Sequence, residues 1–374
     1  MVSLMDREKT FLHVLFLSGL QPLAGERTLQ SLFYILKGRK ANQTYQDVHM
    51  YQLQGYYRLM PALSREQWEE SIATMQAERL IEPLRLGTGG SKTTFRLTEA
   101  GAEKLRRGQS QYDLPGLLSP FGQDSGLTAR IGNFWMRLHL MVQTLSHLLD
   151  RQPSFYPIVQ HRPTQQWVKQ QLGKPEKRAQ WMTNLYEELY ETLAGLPEEQ
   201  QFLLVSQLSG ARKQALTTEQ LAYQLGEAPS LVVLKWKHGL ARLILTAERA
   251  EPGQYPLLRQ MFADEREKHD PLSESARETY ELLQRNLDIG EIASRRQLKA
   301  STVEDHLVEI ALCRPEWDCS RYLTEADRIR ILQTSHSLGT RRLRLIKDAL
   351  GESFSFLQIR LALAREGGWH DHGT

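Results

Sequence analysis

Apolar residues recur at helical spacing in short runs along almost the whole chain, and each run is bounded by capping or breaking residues. Leu29, Leu32, Phe33 and Leu36 follow the i, i+3, i+4, i+7 order, and Phe134, Leu138, Met141, Leu145 and Leu148 form a longer stripe of the same period. Ser64 with Gln67, Thr217 with Gln220 and Asp288 with Glu291 have the spacing of capping boxes. So do Ser275 with Glu278 and Ser301 with Glu304. Helices of this length cannot bury their stripes alone, so the pattern predicts several small helical units rather than one sheet-based core. Two short strands are expected, at 81–86 and 93–97, around the polar turn Gly87–Lys92.

With 374 residues, the chain is long enough for two to four domains. Breaks in the helical pattern place a unit at 1–108, a Gly-, Pro-, Ser- and Gln-rich linker at 109–128 and a helical connector at 129–177. They then place a helical domain at 178–250, a second linker at 251–271, a third helical domain at 272–366 and a flexible tail at 367–374. The fold class expected is mainly α and multi-domain. The first unit reads as three helices, a hairpin and a closing helix, the order of a winged helix. Its segment Phe95-Arg96-Leu97-Thr98-Glu99-Ala100-Gly101 resembles the strand-to-helix ending common in bacterial winged-helix proteins.

Charge narrows the function. The 47 Lys and Arg residues against 44 Asp and Glu leave a net charge of only +3, so the chain cannot coat nucleic acid by bulk charge, and any contact must come from local patches. Cys313 and Cys319 are the only cysteines, which supplies neither a disulfide framework nor a zinc site. No apolar run approaches the roughly 18 residues of a membrane span. The apolar stretch 11–17 follows Asp6 and Glu8 rather than a basic segment, and His13 interrupts it. It is read as a first core helix, and the chain as cytoplasmic.

Two segments share one pattern. When Ala222 is set on Ala293, Ser230 falls on Ser301 and Val232 on Val303. An alanine in a first helix, a turn and a β-branched residue in a second helix are what close helix-turn-helix packing requires. The earlier copy, with Leu196-Pro197-Glu198-Glu199 before it and Leu221-Ala222, Leu225-Gly226 within it, resembles region 4 of RNA polymerase sigma factors. In the later copy, Ile292-Ala293, Arg296, Leu298, Ser301-Thr302-Val303 and Glu304-Asp305-His306-Leu307 closely resemble the helix-turn-helix module at the C-terminus of bacterial RecQ-type DNA helicases. Arg342-Leu343, Ile346-Lys347, Leu350 and Ile359-Arg360-Leu361 look like that family's ending. The turn departs from the family, carrying Gln297 where glycine is usual.

The whole layout is also similar to stand-alone helix-turn-helix proteins of Gram-positive bacteria encoded beside a RecQ-type helicase. That similarity rests further on Leu36-Lys37-Gly38-Arg39-Lys40 and on Gln43-Thr44 with Gln46-Asp47. It implies a RecQ-type helicase as partner.

Candidate DNA contacts are Arg295, Arg296, Lys299, Ser301 and Thr302 around the later turn, and the basic cluster Arg341, Arg342, Arg344 and Lys347. Lys37, Arg39 and Lys40 are a further basic group. Glu304, Asp305 and Glu309 on the later second helix would meet phosphate repulsion. The earlier second helix is apolar, and Leu231, Val233 and Leu234 are read as a partner-binding face. Neither second helix presents a strong set of base-reading residues.

Signals for catalysis are weak. The run Gly87-Thr88-Gly89-Gly90-Ser91-Lys92 lacks the Gly before Lys that a phosphate loop needs, and a strand follows it. His306 has no second histidine at ligand spacing, and His370-Asp371-His372 reads as a frayed tail rather than a metal site. No cofactor or metal is expected. The reading is therefore a non-enzymatic accessory protein of DNA transactions, with a sequence-specific helix-turn-helix regulator as the alternative.

Overall fold

The protein was analysed as a computed structural model, which describes residues 3–84, 93–123, 126–152, 154–263 and 272–366. It is mainly α-helical. The helices are α1 (Leu4–Leu20), α2 (Leu29–Lys37), α3 (Asn42–Met50) and α4 (Arg65–Ala77), followed by the antiparallel strands β1 (Ile81–Leu84) and β2 (Thr94–Leu97). Next come α5 (Glu99–Tyr112), α6 (Leu114–Gln123), α7 (Leu127–Leu149), α8 (Arg162–Gln171), α9 (Pro175–Ala194), α10 (Glu198–Ser206), α11 (Thr218–Leu225), α12 (Pro229–Arg249) and α13 (Pro256–Gln260). The last group is α14 (Glu274–Leu283), α15 (Ile289–Arg296), α16 (Ala300–Cys313), α17 (Glu325–Leu338), α18 (Leu343–Leu350) and α19 (Phe356–Glu366). The polar turn and the phosphate-loop-like run at 85–92, part of the second expected linker (264–271) and the histidine-containing tail at 367–374 lie outside the described residues.

The chain divides into two compact units, but not in simple sequence order. One contains 1–15 and 107–269, and the other 16–106 and 270–374. Helices α1 and α5 each continue from one unit into the other. The expected division, with 1–108 and 272–366 as separate domains, is therefore redrawn. The reason lies in α3 and α16. Residues 306–311 of α16 are at most 4% exposed, so the helix is covered on every side. Its cover comes from α14, α15, α19 and α3, and α3 also packs on α19. Thr44, Gln46, Asp47, Val48 and Met50 of α3 are buried in turn. The expected linker at 109–128 is likewise helical, forming the end of α5, then α6 and the start of α7. Leu114, Leu117, Leu118 and Phe121 of α6 are buried, and α6 packs on α12.

Capping chemistry accounts for many helix starts. Ser64, Thr217 and Asp288 each accept from the backbone N–H three residues on, and the Gln or Glu there returns a bond. Two expected caps shift. Helix α14 is capped by Ser273, not Ser275, and the Ser273 N–H and hydroxyl are held by Glu309 of α16. Helix α16 begins after Lys299, which places Ser301 inside its first turn.

In the unit of 107–269, α12 is the central helix, packing against α6, α7, α9, α10, α11 and α13. Leu203, Leu221, Ala222 and Val232 form one core cluster there, with Leu225 packed against it. Arg130 and Glu248 pair where α7 meets α12, and both are largely buried.

Candidate nucleic-acid interface

The two helix-turn-helix segments have the same local construction. In α11–α12 the turn residue Gly226 is left-handed at φ 63°, and the next N–H, of Glu227, returns to Ala222 O at 3.0 Å. In α15–α16 the turn residue Gln297 is left-handed at φ 54°, and the Leu298 N–H returns to Ala293 O at 2.9 Å. Ala222 and Ala293 of the first helices are buried, as are Val232 and Val303 of the second helices. Gln297 thus adopts the conformation that glycine usually supplies, at a cost of about 1 kcal/mol.

They differ where DNA would be met. A recognition helix reads bases from its N-terminal residues. In α12 that turn is occupied. The Ser230 N–H donates to Glu8 Oε2 at 2.9 Å, and the Ser230 hydroxyl donates to the other oxygen of the same carboxylate. A carboxylate seated there repels phosphate. In α16 the corresponding turn is open: Ser301 is exposed and Thr302 half-buried, and neither side chain has a partner among the described residues. Arg295 and Lys299 beside it are exposed and equally unpaired among the described residues. Asp305, one turn further on, is neutralised by Arg360.

Several expected contacts are structural instead. Arg296 keeps only 13% of its side chain exposed. Its guanidinium donates to Ser275 O at 2.6 Å, to Ser275 Oγ at 3.0 Å, to Thr279 Oγ1 and to Glu278 at 2.7 Å. It fills the place that Leu225 takes in the other copy. His306 bonds Thr279 Oγ1 through Nδ1 at 2.8 Å, and burial lowers its pKa, with Arg296 adding to that effect.

The basic cluster is also divided. Arg341 and Arg342 precede α18. The Arg341 side chain pairs with Glu366 at 3.1 Å, while its N–H donates to Glu26 at 3.1 Å. Lys347 donates to Gly351 O at 3.0 Å and closes the C-terminal end of α18. Arg342 and Arg344 remain without a side-chain partner among the described residues, and Arg344 is exposed. Helix α15 packs on α14 and α16, whereas α18 packs on α17 and α19, so the two basic groups stand on different helix pairs. Of the further basic group, Lys37 donates to Leu63 O at 2.9 Å and Arg39 lies over the Tyr34 ring.

The expected partner face on α12 is mostly core. Leu231 and Leu234 are each 3% exposed, and only Val233 is half-buried. Apolar sequence there reflects six neighbouring helices rather than a waiting partner.

Residues 275–363 match the helix-turn-helix domain family. The match spans α14 to α19 nearly completely and contains the open turn. A helix-turn-helix domain suggests DNA binding, and the exposed Arg295 and Lys299 suit phosphate. Across its length the chain is similar to Protein YpbB of Bacillus subtilis (strain 168), 27% identical over 361 residues, which covers 96% of this chain and 99% of that protein. No solved structure is a significant match. No described helix is long and apolar enough to cross a membrane, and no described cluster of His, Cys, Asp or Glu could hold a metal ion.

Proposed function

We propose that the protein is a non-enzymatic accessory factor of DNA transactions that touches DNA at the start of α16 and works with a RecQ-type helicase. The observation that carries the DNA part is the contrast at the two second helices: Glu8 fills the N-terminal turn of α12, while that of α16 is open, among the described residues, beside Arg295 and Lys299, which have no partner there. The body of α16 is enclosed by α3, α14, α15 and α19, so only its first turn can approach a duplex. Such shallow contact favours phosphate over base edges, and a protein that holds DNA this way needs a partner to supply the chemistry. The helicase follows from the resemblance of 288–307 and the segment after it to the module found on RecQ-type enzymes.

Fluorescence anisotropy on random-sequence duplex and forked oligonucleotides tests the DNA part. The double variant Arg295→Glu, Lys299→Glu should bind more weakly by about tenfold or more, equally across sequences, and flatten the salt slope by about 2. Wild-type affinity in that variant at two salt concentrations would remove α16 as the interface. Affinity purification with and without nuclease tests the partner: a helicase retained after nuclease supports direct contact, and its absence from both samples overturns the pairing. The exposed Ser301 and the neighbouring Thr302 favour one second reading, a sequence-specific regulator. In that case Ser301→Ala or Thr302→Ala would change preference among duplex sites while leaving random-sequence affinity intact.

A further inference from the structure

The unit of 16–106 and 270–374 contains a cavity of about 530 Å³ where the segment 22–26, the end of α3 and the end of α17 meet. This is within the roughly 300–1,000 Å³ typical of ligand sites. Pro22 and Tyr51 give it apolar surface, Glu26 and Gln52 bring side-chain oxygens, and residues between 335 and 341 form the remaining wall. That wall is fixed by its own hydrogen bonds. Gly339 closes α17 in the left-handed conformation at φ 59°, the Ser335 hydroxyl donates to Thr340 O at 2.7 Å, and the Thr340 N–H returns to Ser335 O at 3.2 Å.

The charges around the cavity pair off and leave one over. The Arg341 guanidinium is held by Glu366 at 3.1 Å, and His336 pairs with the other oxygen of that carboxylate. Arg27 lies over the Tyr51 ring, but its charge is met by Asp47 at 2.7 Å. Glu26 pairs with no cationic side chain among the described residues. Its Oε2 accepts from the Arg341 N–H at 3.1 Å and from the Tyr51 hydroxyl at 3.4 Å. Burial raises the Tyr51 pKa, so that hydroxyl keeps its proton and remains a donor. Glu26 Oε1 has no partner among the described residues, and neither has the exposed Gln52 side chain. The C-terminal end of α17, with its partial negative charge, completes an electronegative lining.

We infer that this cavity binds a primary ammonium group carried on an alkyl stem. The ammonium would donate to Glu26 Oε1 and to the Gln52 amide oxygen, and the stem would lie along Pro22 and Tyr51. A guanidinium is the poorer fit, because its planar fork seeks both oxygens of a carboxylate and here Oε2 is already taken, whereas an ammonium acts as a point charge. The cavity is lined by no residue of α15 or α16, so the inference goes beyond the DNA reading and does not rest on it.

The test is a ligand-detected NMR titration of the full chain with three compounds of one stem length, pentylamine, pentanol and pentanoate. Pentylamine should bind with Kd on the order of 1 mM, and the other two about tenfold more weakly or worse. Glu26→Gln keeps an oxygen for the Arg341 N–H and the Tyr51 hydroxyl but removes the charge, and should weaken pentylamine by about tenfold or more. Gln52→Lys brings a competing ammonium to the same place and should weaken it as much. Because Gln52 is exposed and its side chain has no partner among the described residues, that variant should keep the wild-type melting temperature, which separates a lost site from a lost fold. Spermidine and a hexapeptide with one central lysine represent the two sources of such a group, a free amine and a protein side chain, and at least one should bind as tightly as pentylamine. Equal binding of the three stems, no binding of pentylamine, binding that survives both substitutions, or weaker binding of both spermidine and the peptide would each overturn the assignment.

Discussion

Helices α11–α12 and α15–α16 trace one motif in two chemistries. Where the first has Gly226 at the turn, the second has Gln297; where the first packs half-buried Leu225 on its core, the second ties half-buried Arg296 into hydrogen bonds to Ser275, Thr279 and Glu278. Lys235 of α12 lies between Glu199 and Glu227 at 2.7 and 2.6 Å, and the corresponding His306 of α16 meets neutral Thr279. The first copy has its recognition turn closed by Glu8, and the second leaves it open. The comparison shows that the backbone motif does not by itself confer an interface. What decides it is whether another helix has already taken the N-terminal turn.

The largest effect should come from Arg296→Ala. Four hydrogen bonds are lost and Thr279 is left short of a donor, so urea unfolding should show a loss of about 3 kcal/mol. Arg295→Ala next to it should stay within about 0.5 kcal/mol while weakening DNA binding. If the two variants unfold alike, the separation of structural from interfacial arginine fails.

Glu8→Ala should come second. It uncaps α12 and should lower stability by about 1–2 kcal/mol, whereas Ser301→Ala at the matching place should change it by less than about 0.5 kcal/mol. Faster hydrogen exchange confined to the first turn of α12 is the expected signature. Equal protection in variant and wild type would mean that Glu8 does not close the turn.

The turn residues should respond with opposite signs. Gly226→Ala should lower the melting free energy by about 1 kcal/mol, and Gln297→Gly should raise it by about 0.5 kcal/mol once the added freedom of the unfolded chain is subtracted. Calorimetry of both variants checks the pair.

The smallest effect is in pH. Burial holds the His306 pKa below its unfolded value, so between the two values the unfolded chain binds more protons than the folded one. The stability associated with neutral His306 is therefore present above the unfolded pKa, near 6.5, and declines as pH falls toward the folded pKa. His306→Gln should flatten that acidic slope in a melting-temperature series. An unchanged slope would show that His306 does not titrate with unfolding.

Much of this was legible from local chemistry. The capping boxes at Ser64, Thr217 and Asp288 and the buried Ala222, Ala293, Val232 and Val303 depend on neighbours within a few residues, so their spacing is visible in sequence. Ser275 and Ser301 have the same spacing and cap nothing. The start of α14 is set by Glu309, from another helix, and that of α16 by the turn at Gln297. Arg296 has the sequence of a solvated basic end, and only its folding against Ser275 and Thr279 reveals it as interior. Glu8 and Ser230 are too distant in the chain for any pattern to join them. Arg295 and Lys299 were visible as candidates, but their difference from Arg296, Arg341 and Lys347 is a matter of partners, which residue type does not record.

The pairing of 16–106 with 270–374 has a consequence for how the protein is made. Synthesis runs from the N-terminus, so α2, α3 and the hairpin emerge long before α16 and α19, which cover α3. The intervening unit, whose segment 107–269 is contiguous apart from the start of α1, can assemble while its neighbour is still half built. During that interval Val48 and Met50 face water, and the nascent chain carries an unsealed apolar surface that chaperones can recognise. A translation pause placed before codon 270 would lengthen that exposure.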